Sequence, residues 1–276
     1  MRIIPLLARH YRLFALVRDP VRREGLRVRG VLPISGDLDD RASLDRIAGI
    51  ADAVLHFAPP PNGGTCDTRT RHLLAALSLR RLPERLVYLS TSGVYGDCSG
   101  AVVSETQPLH AQTERAQRRA DAERQIRSWA RRNRVGVSIL RVPAIHAADR
   151  LPLGRLRQGL PCIADSEDGY ASHIHADDLA RIAVAALHRG KACRAYHASD
   201  DGPMKTGEYL DAVADACGLP RLPRVSRAGA QRVLPETLLS FMNESRRLDN
   251  RRMKRELKVK LRYPAVADML AAIEHS

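Results

Sequence analysis

Leu86-Val87-Tyr88-Leu89-Ser90-Thr91-Ser92-Gly93-Val94-Tyr95-Gly96-Asp97 is the stretch whose reading decides the fold. Its first four residues are apolar and β-favouring, as in a short strand buried on both faces of a parallel sheet. Three small hydroxylated residues follow, and Gly93–Asp97 then turns the chain. Hydroxyls at the carboxyl end of a central parallel strand stand where ligands bind in open α/β sheets.

Working outward, Leu13–Val17, Val28–Pro33 and Ala53–Phe57 read as earlier strands, with a short helix over Leu44–Ile50. The third strand runs into the turn Ala58–Gly64. A helix over Thr68–Leu79 carries Leu73, Leu74 and Leu77 on one face. After the quoted segment come a long charged helix (Arg115–Asn133), a strand (Val135–Val142), a helix (Asp177–Leu187) and a last strand (Arg194–Ala198). Strands alternating with helices predict a parallel βαβ sheet. From Met204 onward, including an amphipathic helix over Thr206–Ala216, the chain reads as helical and proline-punctuated, with no strand rhythm.

In this order the motifs resemble the extended short-chain dehydrogenase/reductase family, which includes NAD-dependent epimerases and dehydratases, over nearly the whole length. The resemblance implies a Rossmann-like, doubly wound α/β core in residues 1–200, with 146–172 contributing in part to a substrate lobe. Residues 201–276 would form that smaller, mostly helical lobe. It implies an oxidoreductase acting on a nucleotide sugar or a similar carbonyl or hydroxyl substrate. The alternative on the same fold is a non-catalytic regulatory protein that binds NADP or a metabolite.

The resemblance also distributes roles. Thr91 matches the hydroxyl that bonds the reacting oxygen, and Ser92 and Tyr95 fall at the substrate pocket. Arg18, with Arg22, closes the strand that meets the adenosine ribose; arginine there accommodates a 2′-phosphate, which points to NADP, with NAD as the alternative cofactor. Asp37 and Leu38 fall at the adenine ring, and Phe57, Ala58, Pro59, Val142 and Pro143 beside the cofactor. His146, His173 and His175 fall near the substrate lobe, with His175 a candidate proton carrier. His173 and His175 share one face of an extended segment. No third ligand is placed by sequence, so no metal site is read.

Two departures from the pattern matter. The family's Tyr-x-x-x-Lys pair is absent, and Arg115 and Arg119 occupy its positions. An arginine stays protonated and cannot act as a base, but it can clamp a carboxylate or phosphate. The opening strand and glycine-rich turn are also missing, since Met1–His10 reads as the body of the helix that should follow them. That turn brings backbone N–H groups to the cofactor's pyrophosphate, so the chain as written lacks the phosphate cradle. Without the strand, its neighbours keep unpaired backbone groups. The expectation is therefore that the sequence begins at an internal Met, with roughly ten to fifteen residues before it, about one strand and its turn.

Composition narrows the rest. The net charge is +14, carried mostly by arginines spread along the chain without aromatic interleaving or a reader motif, so nucleic acid is not the expected partner. No apolar run reaches the roughly 20 residues of a membrane span. The five cysteines are scattered and odd in number, against a disulfide frame or a zinc site. A cytoplasmic protein with a small-molecule substrate is the expectation, and a homodimer is compatible with it.

Overall fold

The computed structural model describes residues 1–274. Two parallel strands, β1 (Leu13–Val17) and β2 (Val31–Ser35), pair in register Leu13 to Val31 and form a sheet of their own. The main sheet runs from β3 (Ala53–His56) to β4 (Arg85–Thr91), then to the strands Gly136–Val142 and Arg194–His197, all parallel. β4 is buried over most of its length because each face carries apolar residues at period two. On one face Val87 joins Leu140, Val142, Ile182 and Tyr196, under the helix Ala176–Arg189. On the other, Leu86 and Tyr88 join Leu73, Leu77, Ile126 and Trp129.

Four helices flank the first half of the chain: α1 (Ile4–Leu7), α2 (Arg22–Arg27), α3 (Thr68–Leu77) and α4 (Glu114–Asn133). Thr113 caps α4 by accepting a hydrogen bond from the Ala116 N–H at 3.2 Å, and Arg134 ends it in the left-handed region at φ 56°. The strand expected at Val28 starts at Val31, because Val28 still closes α2. The helix expected over Leu44–Ile50 is a 3₁₀ helix over Arg41–Ile47, started by the Asp40 side chain. Gly36 is required after β2, since a Cβ there would lie 2.7 Å from Leu16 Cδ1 and 3.0 Å from the Ser43 carbonyl.

β1 and β3 do not pair. A cavity of about 890 Å³ lies between them, lined by Leu13, Leu16, Val54 and Leu55 on the facing strands and by residues such as Leu7 and Leu73 above and below. This is where the sequence expects a central strand to be missing. The sheet is divided there, and each flanking strand presents an unpaired edge to an apolar slot.

The C-terminal lobe has its own core of Leu156, Cys162, Leu210, Val213 and Met269. Strand pairing does occur after Met204, in two-residue pieces: Met204–Lys205, Arg224–Val225 and Arg247–Leu248. The last pairs with Val102–Val103, and Met253, Leu257 and Leu261 pack in the main core, so this part of the chain returns to the sheet domain. No helix among the described residues is long and apolar enough to cross a membrane.

Candidate active site

β4 delivers Thr91 to the carboxyl edge of the sheet, where the chain enters a short 3₁₀ turn, Ser92–Tyr95. The Thr91 Oγ1 accepts the Gly93 N–H at 3.2 Å, which leaves its own O–H free to donate. Gly96 ends the turn at φ 67°, and a Cβ there would lie 2.4 Å from the His110 carbonyl, so only glycine fits. Ser92 is buried and its Oγ accepts from Arg246 Nη2 at 3.5 Å. Arg246 also donates to the Gly96 carbonyl and to Glu244, each at 2.8 Å.

The two arginines at the Tyr-x-x-x-Lys positions have different fates. Arg115, in the first turn of α4, lays its guanidinium 3.8 Å over the Phe241 ring at this same mouth. Burial lowers its pKa, while the nearby Glu244 carboxylate opposes that shift. Arg119, one turn on, donates to the Leu89 carbonyl at 2.8 Å and to the Tyr88 hydroxyl at 3.1 Å, which fastens α4 to β4. Arg119 is thus committed to the backbone.

Tyr95 does not face the mouth. It is buried, its hydroxyl accepts from Arg141 Nη1 and lies 2.6 Å from His197 Nε2. The other ring nitrogen of His197 is 2.9 Å from the Asp249 carbonyl, which can only accept. His197 therefore carries its proton on Nδ1, and Tyr95 donates to Nε2. Burial pushes the phenol up to about 12, so Tyr95 is a structural hydroxyl. Arg141 in turn grips Glu123 through two hydrogen bonds, at 3.1 and 2.8 Å.

The three histidines do come together. His146 lies edge-to-face with His175 at 5.3 Å and with His173 at 6.2 Å between ring centroids. All are buried, and burial lowers each pKa, to about 4 for His146 and His173. His173 stacks on Tyr209 at 4.6 Å. His175 caps the helix Ala176–Arg189 by accepting the Asp177 N–H on Nδ1 at 3.2 Å. Asp178 accepts the Arg262 and Tyr263 N–H groups, joining the helix to the C-terminal segment. These histidines thus form a buried seam between core and lobe. Among the described residues no group of three His, Cys, Asp or Glu side chains is placed to hold a metal ion.

At the dinucleotide end, Arg18 is largely exposed at the end of β1, with Nε 3.9 Å from Asp37 Oδ2, and Arg22 sits 3.8 Å from Asp19. The Leu38 carbonyl is held by His72 at 2.8 Å, and the exposed Pro59 gives its carbonyl to Arg69 at 3.1 Å. Phe57 and Ala58 are half-buried at the end of β3, and Val142 is buried beside Pro143. These are the residues that the resemblance assigns to the adenosine and nicotinamide ends of a dinucleotide. The pyrophosphate is not fitted by the described residues: α1 is a single turn with Pro5 at its start, and Arg2 there is already paired with Asp149 and Asp177.

A sheet with this strand order, a hydroxylated turn at its carboxyl edge and a lobe over that edge is the architecture of a Rossmann-like α/β protein. The model of the NAD dependent epimerase/dehydratase family matches residues 4–198, and the chain belongs to that family. It is 27% identical to a dTDP-glucose 4,6-dehydratase of Mycobacterium tuberculosis over 191 residues, 61% of this chain and 57% of that protein. The match thus spans less than two thirds of that relative's length. A conserved protein of unknown function from Silicibacter pomeroyi superposes with TM-score 0.80 and 28% identity, covering 99% of this chain and 93% of that one. The dTDP-glucose 4,6-dehydratase DesIV of Streptomyces venezuelae, solved with NAD bound, shares the fold at TM-score 0.79 and 22% identity, covering 99% of this chain and 91% of its own.

From the sequence, Leu239–Arg247 reads equally well as a pocket-facing segment or as a structural helix, and neither Glu244 nor Arg246 stands out within it. They lie about 150 residues from Thr91, and the pairing of Arg247–Leu248 with Val102–Val103, with the Ser245 hydrogen bonds to Asp97, Cys98 and Gly100, brings them to the mouth.

Proposed function

We propose that the chain binds a nucleotide sugar, or a similar small molecule carrying carbonyl and hydroxyl groups, at the mouth formed by the Thr91–Gly93 turn. NADP(H) is the nucleotide partner in this reading, and the protein is an epimerase/dehydratase-like oxidoreductase with an atypical active site. The observation that carries it is the Thr91 hydroxyl, free to donate at the carboxyl end of the central strand, with Arg246 reaching the next residue, Ser92, and pairing with Glu244. The relatives named for dTDP-glucose chemistry support the substrate class. Arg18 at the end of β1 supports a 2′-phosphate.

The residues in place of the usual pair limit what this chain does by itself. Thr91 can hydrogen-bond a reacting oxygen. Arg115 supplies fixed positive charge that suits a phosphate or carboxylate, and it takes no proton. Arg119, tied to Leu89, supplies neither base nor clamp. This loss favours a second reading, a non-catalytic protein that binds NADP or a metabolite on the same fold.

Replacing Thr91 by Val separates the two. Turnover of dTDP-glucose in the presence of NADP, followed by product analysis, should be abolished in Thr91→Val if the protein is an enzyme. Wild-type binding without turnover, little changed in the variant, would establish the second reading.

A further inference from the structure

We infer that Asp200 and His146 together carry a single proton, and that this proton holds the lobe against the core where the chain crosses from one to the other. Asp200 follows the last strand of the main sheet, Arg194–His197, and precedes the first strand pairing of the lobe at Met204. Its N–H donates to the His173 carbonyl at 2.8 Å, and the Asp201 N–H donates to the Pro264 carbonyl at 2.8 Å. Asn250 Nδ2 donates to the Ser199 and Asp200 carbonyls, each at 2.9 Å. The Asp200 backbone is therefore fixed at the crossing. His146 stands opposite His175, where Ala144–His146 pairs with His173–His175.

Both side chains are fully buried, and Oδ1 and Oδ2 of Asp200 and Nδ1 and Nε2 of His146 all lack a hydrogen-bond partner. Asp200 Oδ2 and His146 Nε2 are 4.0 Å apart. The fixed cations nearby are committed elsewhere. Lys254 pairs with Asp201, Arg2 with Asp149 and Asp177, and Arg181 with Asp178, while the Arg262 guanidinium lies over the Tyr263 ring at 5.4 Å. His173 stacks on Tyr209 of the lobe helix Thr206–Ala216 and His175 packs on Tyr263, and burial lowers the pKa of both imidazoles. The carboxylates of Asp201 and Asp178 oppose a further negative charge at Asp200.

A carboxylate buried without a cation or a hydrogen bond is far costlier than the neutral acid, so a proton belongs at this pair. It sits on Asp200 beside a neutral imidazole, or on His146 as an imidazolium facing a carboxylate. The count is one in both forms, and the pair has no net charge. Burial pushes the Asp200 carboxyl up to about 8, against the pull of the Gly202 and His173 N–H groups, which face it without closing a hydrogen bond. When the lobe lifts, water reaches the carboxyl, which returns toward its ordinary 3.8 and gives its proton to solvent. Opening thus releases a proton, so rising pH favours it until the closed form also loses the proton near 8.

The test is amide hydrogen exchange of the full chain at about pH 6.5 and pH 8.5, corrected for the intrinsic pH dependence of exchange, on the wild type and on Asp200→Asn. In the wild type, protection of the lobe helix Thr206–Ala216 should fall about tenfold or more relative to β4. In Asp200→Asn, which is neutral at both pH values, the ratio should stay constant. Spectroscopy of the wild type counts the proton without relying on the variant. Either a carboxylic-acid carbonyl band in the infrared or an imidazolium His146 in nitrogen NMR should be present at the lower pH and weaker at the higher. A lobe that loses protection only in step with β4, or that loosens in Asp200→Asn as it does in the wild type, would overturn the inference. So would a wild type with neither the acid band nor the imidazolium at the lower pH.

Discussion

The Tyr95 hydroxyl lies 2.6 Å from Nε2 of His197, and this contact removes from the mouth the one tyrosine that sequence places beside Thr91. The bond links the turn after β4 to the strand Arg194–His197, two strands away across the sheet. Tyr95→Phe leaves both His197 Nε2 and an Arg141 N–H without their partner in a buried setting. It should lower stability by about 1–3 kcal/mol in urea unfolding and leave ligand affinity unchanged. A binding defect without a stability loss would place Tyr95 in the site after all.

Stability should peak near pH 6.5, for reasons of opposite sign on the two sides. Burial holds His146, His173 and His197 down at about 4 and His56 at about 3, below the ordinary 6.5. As pH falls below 6.5 the unfolded chain takes up protons that these folded imidazoles refuse, so stability present above 6.5 is lost toward pH 4. Burial pushes the Asp200 carboxyl up, from 3.8 to about 8. The folded chain keeps that proton while the unfolded chain releases it, so this contribution is full below pH 3.8 and is lost as pH rises to about 8. Urea midpoints measured from pH 4 to 8.5 check this, and Asp200→Asn should remove the decline above 6.5. A flat profile there in the wild type would contradict the neutral Asp200.

The divided sheet should be visible in amide hydrogen exchange. β4 and Gly136–Val142 are paired on both edges, whereas β1 and β3 each have one edge on the slot. Amides of β1 and β2 should exchange faster than those of β4 by an order of magnitude or more, because local opening there breaks only one strand pair. Equal protection across all six strands would mean that the slot is closed in solution.

Most of the fold was legible because parallel strands and amphipathic helices write themselves as short apolar runs and 3.6-residue spacing. Leu86–Leu89 and Val135–Val142 carry that signal strongly, and both strands appear within a residue or two. Val28 misled because it is apolar and β-branched, yet the backbone of α2 carries it as a cap. The site was less legible. Thr91 could be found from its place at a strand end, which is a local property. Whether Tyr95 or Arg115 reaches the same mouth depends on which way each side chain turns, and no spacing rule records that. Glu244 reaches it through a strand of two residues, too short to leave a period. His175 shows the same limit in reverse: its place beside Asp177 was plain, and its capping role came from the backbone angle at that corner.

Binding of NADP(H) tests the account most directly, by fluorescence titration with NADPH and NADH on the wild type and on Arg18→Ala. The account predicts tighter binding of NADPH than of NADH, with the difference removed in Arg18→Ala, because Arg18 is placed to meet the 2′-phosphate that distinguishes the two. No binding of either nucleotide, or equal binding that Arg18→Ala leaves untouched, would contradict it.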